Sequence, residues 1–465
     1  MNDDAPRATS VALPALLEDA ARRSAAYLRS LEQRPVRPDP DAVQRLVRLE
    51  EPLPQGSTDP AGVLALLDEI VSPATMATAG PRFFGFVIGG SVPAALAANW
   101  LATSWDQNAC LAKITPGVAQ VEAVALRWLV EVLGLPPQTE GAFVTGATMA
   151  NFTALAAARH VVLARADWNV EADGLYGAPP ITVVVGDEAH PTLLKSLGLL
   201  GLGRNRVIRV PTDRRGRMRA DRLPPMAGPT IVCVQAGNIN TGEFDPFGEI
   251  CPIARAAGAW VHVDGAFGLW ARAAPQLAPL ADGVELADSW ATDAHKWLNV
   301  PYDSGLAFVR EPGALPSAMA ITADYLPVHQ AERSPADFTP ELSRRARGVE
   351  VWAALRSLGR SGLAELFERN CRQARRFAAL LGAAGYEILN DVVLNQVLVS
   401  FGSADNTQRV IDAIQAEGTC WCGGTVWQGR AAMRISVCSW ATTDADVERS
   451  AAAMLRAARA AADRD

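Results

Sequence analysis

Amine chemistry in this chain can start from very few positions. Lys and Arg together number 43, yet only three are lysines: Lys113, Lys195 and Lys296. Arginine stays protonated in practice, whereas lysine can act as a neutral amine nucleophile. Lys296 stands in TDAHKWLN, directly after an apolar run, between His295 and Trp297. Desolvation by apolar neighbours turns an ammonium into a competent amine. The plain alternative is a surface lysine whose stem lies on Trp297. Lys113 and Lys195 lack comparable surroundings, and Lys195 falls on the helix expected after His190.

Three other groups stand where chemistry is possible. Asp264 closes the apolar run WVHVD, and a carboxylate at the buried end of a strand is costly unless partnered. A protonated ring nitrogen of a cofactor would serve as its partner; capping the following GAFGLWA segment is the alternative. His262, two residues back, shares its face. His190 follows ITVVVGDEA and precedes Pro191, where it could stack on a planar ring, shuttle a proton or simply bond within its loop. Thr145-Gly146-Ala147-Thr148 opens a helix, and free amides at a helix start suit an anion; Thr148 could equally be an N-cap. An anion site, a stacking imidazole, a carboxylate and an amine, in that order, match what pyridoxal phosphate requires.

These residues need elements to hold them. Short β-branched runs at 142–145, 181–186, 206–210, 230–235, 259–264, 288–292 and 304–309 read as strands buried on both faces. Helix-length segments between several of them predict an α/β domain with a mostly parallel sheet. In such sheets ligands bind beyond the carboxyl ends of the strands, where the four groups lie. Residues 1–70 read as helical, with proline punctuation from Pro35 to Pro60. Residues 116–134 read as a helix stopped by Gly134-Leu135-Pro136-Pro137. After about residue 340, long Arg/Ala/Leu helices, strands near 386–401 and 432–438 and a final Ala-rich helix read as a smaller α+β domain.

Composition removes whole classes of function. With 49% hydrophobic and 20% charged residues the chain is globular rather than disordered. A formal charge of −7 gives no basic footprint for nucleic acid. Seven cysteines, with only a C-x-C pair at Cys420 and Cys422, neither build a disulfide framework nor match a zinc pattern. No metal site is expected, and the thiols point to a reduced, cytoplasmic setting. The N-terminus lacks a signal-peptide pattern. Phe83 to Trp105 carries no charge for 23 residues, but Gly89-Gly90-Ser91, Pro93 and Asn99 read as a buried loop and a core helix rather than a membrane span.

The chain also resembles a family, the group II pyridoxal-phosphate decarboxylases, which include aromatic-L-amino-acid, glutamate and tyrosine decarboxylases. The likeness spans about residues 80–440. It is carried by GPRFFGFV (80–87), VTGATMANFTAL (144–155), GDEAHPTLLK (186–195), NTGEFDP (240–246), HVDGAFG (262–268), DAHKWLN (293–299) and SRRARGVEVWAALRSLGRSGL (343–363). The resemblance implies fold type I: an N-terminal helical arm (1–75), a large cofactor domain with a seven-stranded, mostly parallel sheet (76–335) and a small C-terminal α+β domain (336–465). It implies a homodimer with active sites at the interface, and no membrane partner. Carried over by motif, Lys296 forms the internal aldimine, Asp264 pairs with the pyridine nitrogen and His190 stacks on the ring. Ala147, Thr148 and His295 meet the phosphate, and Ala266 packs on the other ring face. Decarboxylation of an L-amino acid would then pass through a quinonoid intermediate.

Departures from the family pattern leave the reaction open. Asn238 stands where members often carry a threonine near the ring hydroxyl. Phe338 falls where many eukaryotic members have a proton-donating tyrosine, whose loss gives an aldehyde. An oxidative aldehyde synthase, an aminotransferase or a carbon–carbon lyase is therefore the alternative, and a non-catalytic scaffold a more distant one. Trp440 replaces an arginine, and Phe84, Phe86 and Trp440 are the expected substrate contacts, leaning toward an aromatic or hydrophobic amino acid. Arg344, Arg345 and Arg347 could bind a second carboxylate or form a solvated helix face.

Overall fold

The computed structural model describes residues 13–321 and 333–462. Residues 1–12 of the expected N-terminal helical region lie outside the described residues. The first helices are Leu13–Ser30, Pro40–Gln44 and Pro60–Ile70. Asp39 and Asp59 cap the second and third, each followed by a proline at the first helical turn.

The seven apolar runs form one sheet. Its strands are β1 (Glu140–Val144), β2 (Thr182–Gly186), β3 (Ile208–Val210), β4 (Thr230–Gln235), β5 (Trp260–Asp264), β6 (Ser289–Asp293) and β7 (Gly305–Val309), in the order β1-β7-β6-β5-β4-β2-β3. β7 runs against both neighbours, and the other paired strands are parallel. Alternate residues feed two apolar clusters: Val232, Val261, Val263 and Trp290 on one face, Ile231, Cys233, Trp260 and Ala291 on the other. Burial on both faces is why these strands read as continuous rather than alternating apolar runs.

A second, antiparallel sheet has the order β10-β11-β9-β8, from β8 (Glu387–Ile388), β9 (Gln396–Ser400), β10 (Gly423–Trp427) and β11 (Arg430–Ser436). The helix Gly348–Ala383 packs near it and bends at Gly359, where φ is 61°. β10 has no counterpart among the expected strands, because Gly423-Gly424 reads as a turn and leaves only the short run Thr425-Val426-Trp427.

Two expectations change. The helix Pro93–Trp105 is not a core helix: it buries only Ala95 and Ala102, while Trp100, Leu101 and Trp105 are exposed. Nor do the three arginines make a solvated face or a free anion site. Arg344 is buried and donates to both carboxylate oxygens of buried Glu122, and to the carbonyls of Ala109 and Phe143. Arg345 pairs with Glu350 and Arg347 with Asp303. Sequence spacing does not reveal these partners, which are drawn mostly from other elements.

Candidate active site

The carboxyl edge of the large sheet gathers the reactive groups. β4, β5 and β6 end at Gln235, Asp264 and Asp293, with Gln235 opposite Asp264 and Asp264 opposite Ala291. Lys296 follows in the turn after β6. Its Nζ lies 3.1 Å from Asp293 Oδ2. The other carboxylate oxygen accepts from the Ala147 amide at 2.6 Å and lies 3.5 Å from His295 Nε2. One buried carboxylate thus ties the lysine to the start of the helix Ala147–Ala164. Lys296 is not a surface lysine, and Trp297 is fully buried, donating to Asn370. Gly305 permits the close approach: a Cβ there would sit 2.5 Å from Gly146 Cα.

This geometry revises the anion site. The Ala147 amide, expected to hold a phosphate, is already engaged by Asp293. The amides of Thr148 and Met149, and the Thr148 hydroxyl, have no protein acceptor among the described residues. Together with the helix dipole they remain able to hold an anion. His295 accepts from the Ser304 amide through Nδ1 and stacks on Tyr302 with centroids 4.2 Å apart. Burial holds its pKa below the ordinary value.

Asp264 is 4% exposed. Its oxygens accept from Asn151 Nδ2 at 3.2 Å and the Ala266 amide at 3.3 Å. The local turn role therefore exists, but among the described residues no cationic side chain pairs with this carboxylate. Ala266 also joins the strand ends, its carbonyl accepting from the Asp293 amide. His190 lines the same cleft as Asp264, along with Glu188, Cys233 and Gly216. It caps the helix Pro191–Leu199, accepting from the Thr192 amide through Nδ1. A neutral ring so held carries its proton on Nε2. Burial lowers its pKa, with Asp264 opposing and Lys296 and Arg434 adding to the shift. Asn238 accepts from two amides through Oδ1, but its Nδ2 is buried without a partner, beside cleft residue Gly216.

The expected substrate contacts divide. Phe84 is 1% exposed and edge-on to Phe377 in the small-domain core, because its backbone pairs with Trp421 and Ser436 and draws it inward. It is a packing residue in this chain. Phe86 is 61% exposed and stacks on Trp421. Trp440 is partly buried against the large apolar cluster. Its amide donates to Asn299, whose own amide bonds the carbonyls of Trp297 and Cys438. The lysine turn is thereby stitched to the end of β11. Phe338 is buried against the large-sheet core with the Arg333 guanidinium 3.8 Å over its ring. Core packing, with an arginine as lid, is its observed role.

Four neighbours escaped the sequence reading: Asp293, Asn151, Tyr302 and Arg434. Asp293 carried a signal, an acid at a strand end like Asp264. Arg434 did not. It lies on β11, half-buried and close enough to His190 to act on its charge, and its guanidinium has no hydrogen-bond or ion-pair partner among the described residues.

His262 is fully buried, and burial alone pushes its pKa down from 6.5 to about 3. The unfolded chain therefore takes up a proton below about pH 6.5 that the folded chain refuses. His262 should cost stability as pH falls from about 6.5 to about 3, at up to ~1.4 kcal/mol per pH unit. Urea midpoints measured between about pH 7 and pH 4 should fall less steeply for His262→Gln than for the parent.

The family model described as the pyridoxal-dependent decarboxylase conserved domain matches residues 43–402. The chain belongs to this family. An aromatic-L-amino-acid decarboxylase of Bacillus atrophaeus is 27% identical over 370 residues, covering 77% of this chain and 75% of the relative. A 4-hydroxyphenylacetaldehyde synthase of Rhodiola rosea is 27% identical over 374 residues, covering 77% and 75%. The structure of Oryza sativa TDC with PLP and tryptamine superposes with a TM-score of 0.89 at 23% identity, covering 98% of this chain and 99% of that one. The fold is fold type I, and the protein is a pyridoxal-phosphate-dependent amino-acid decarboxylase.

The site's own residues fit that cofactor. Asp264 is a buried carboxylate lacking a cation, Asn238 Nδ2 is a buried donor lacking an acceptor, and the helix start keeps free amides. These are complements to a ring nitrogen, a ring hydroxyl and a phosphate.

Proposed function

We propose that this decarboxylase acts on an L-amino acid with an aromatic or hydrophobic side chain, with Lys296, Asp264 and His190 as its reacting centre. The observation that carries the reading is the meeting of one amine and one cation-free buried carboxylate at a single sheet edge, with the His190 imidazole in the same cleft as the carboxylate. When bound, pyridoxal phosphate supplies a conjugated ring that takes up the electron pair left on Cα as CO2 departs. Lys296 offers the tethering amine, and Asp293 fixes its approach. Asp264 offers an acceptor to the proton on the ring nitrogen. His190 presents its ring face and keeps its Nε2 proton. Thr148 and Met149 bind the phosphate through their amides, with His295 beside them, and Ala266 supports the ring.

The aromatic lean rests on relatives named as aromatic-L-amino-acid, tryptophan and tyrosine decarboxylases. It is supported by the ion pairs of Arg344 with buried Glu122 and of Arg345 with buried Glu350, which leave those two guanidinium groups already engaged. Among the described residues Arg434 is a cation without a partner near the centre, and the substrate's own carboxylate is the anion it can take. Arg434→Leu should therefore raise KM roughly 10- to 100-fold while changing kcat far less. Steady-state kinetics on the preferred amino acid checks this.

A homodimer with its active site at the interface is part of the proposal. Phe86, Trp100, Leu101, Trp105 and Ile114 are exposed in the single chain, and so many large apolar groups call for a partner surface. The seven cysteines are all unpaired, which supports a reducing, cytoplasmic setting. Among the described residues no helix is long and apolar enough to cross a membrane.

The testing experiment supplies the cofactor-loaded protein, in air, with amino acids labelled at the carboxyl carbon. Labelled CO2 with the matching amine is the expected result, and the responding amino acid names the substrate. CO2 with aldehyde, ammonia and peroxide would establish the oxidative alternative. No CO2 from any aromatic or aliphatic amino acid would refute the proposed substrate class.

A further inference from the structure

β5 carries three polar-capable side chains on one face, because Trp260, His262 and Asp264 are two residues apart. Register adds Ser289 of β6 directly opposite His262. The helix Ala147–Ala164 lies over this face and adds Asn151. Trp260 Nε1 donates to Ser289 Oγ at 2.8 Å, and Ser289 Oγ lies 2.9 Å from His262 Nδ1. His262 Nε2 lies 2.8 Å from Asn151 Oδ1, and Asn151 Nδ2 donates to Asp264 Oδ2 at 3.2 Å.

We propose that Trp260, Ser289, His262 and Asn151 form a one-directional hydrogen-bond chain that presents Asp264 to the cofactor's ring nitrogen, with His262 and Asn151 as positioning residues. The direction follows from its two ends. The indole can only donate, and a carboxylate can only accept. Asn151 must turn its amide nitrogen to Asp264, since the reverse would set oxygen against oxygen at 3.2 Å. Its oxygen then accepts from His262 Nε2–H. The Nδ1 of this neutral imidazole, in turn, accepts from the Ser289 hydroxyl, whose oxygen accepts from Trp260.

The surroundings explain why the chain is more than packing. Ile231 and Cys233 of β4 stand opposite Trp260 and His262, and Ala154, Ala158 and Ala291 belong to the same buried cluster. Polar groups set among such residues are costly unless each is satisfied, and a satisfied chain fixes one geometry. None of its atoms is left unpartnered among the described residues. Every donor leads to one terminus, the carboxylate that lacks a cation. Asp264 is thereby held with one oxygen engaged by Asn151 and the other turned to the Ala266 amide.

This inference rests on the reading of Asp264 under the proposed function. The test compares apparent dissociation constants of pyridoxal 5'-phosphate and its 1-deaza analogue, which lacks the ring nitrogen, by absorbance and tryptophan quenching. The parent should prefer the natural cofactor. Asn151→Leu and His262→Leu should each reduce that preference by roughly 10-fold, through weaker binding of the natural cofactor alone. His262→Gln, whose amide can accept from Ser289 and donate to Asn151, should retain most of it. Ser289→Ala removes one oxygen and should reduce the preference about 3-fold; it keeps the test decisive where a leucine variant does not fold. Equal weakening of both ligands would show packing alone and overturn the chain, as would an unchanged preference. A parent protein with no preference between the two would overturn the role of Asp264 itself, and the chain with it.

Discussion

Lys296→Ala is expected to abolish the visible absorption of the bound cofactor and to lower turnover at least about 1,000-fold. The chain offers no substitute amine. Lys113 and Lys195 are exposed, and neither forms a contact in the site. Lys296 alone stands 3.1 Å from Asp293, at the turn that follows β6. Lys296→Arg separates charge from chemistry: it keeps a cation for Asp293 but offers no amine that forms the tether. That variant should retain the parent's thermal stability better than the alanine variant while remaining equally inactive. Absorbance spectra, thermal unfolding and the labelled-CO2 assay check the three parts. A Lys296→Ala protein as yellow and as active as the parent would overturn the cofactor assignment.

Asp264→Ala should give the opposite combination, a protein that still takes on colour but turns over roughly 100- to 1,000-fold more slowly. This is the scale of losing one preorganised electrostatic partner in a closed site. The tether at Lys296 remains, so colour persists. The buried acceptor opposite the ring nitrogen is gone, and Asn151 Nδ2 and the Ala266 amide lose their partner. Asp264→Asn keeps shape but loses charge, and should be nearly as slow. Single-turnover CO2 release on protein saturated with cofactor separates this from weak binding. Near-normal release by either variant would remove Asp264 from the chemistry.

Much of this protein was legible in order along the chain. Apolar β-branched runs between glycines and prolines located all seven strands of the large sheet within a few residues, because a strand covered on both faces must be apolar throughout. Lys296, Asp264 and His190 were legible because each follows or closes such a run, and the topology of a parallel sheet sends those ends to one edge. Local signals fixed these features, and local signals survive in a sequence.

The tertiary structure alone decided what surrounds them. Phe84 and Phe86 are two residues apart, yet one is core and the other exposed. Phe338 packs under Arg333 in a core that its own segment does not announce. The three neighbouring arginines look like one cationic face until Glu122, Glu350 and Asp303 meet them. Asn151 reaches Asp264 across 113 residues, and Arg434 comes to His190 from the second sheet. Pairings of this kind depend on strand register, helix seating and the docking of one sheet near another. Residue types state which partners a buried charge or amide needs, but only packing in three dimensions decides which one it finds.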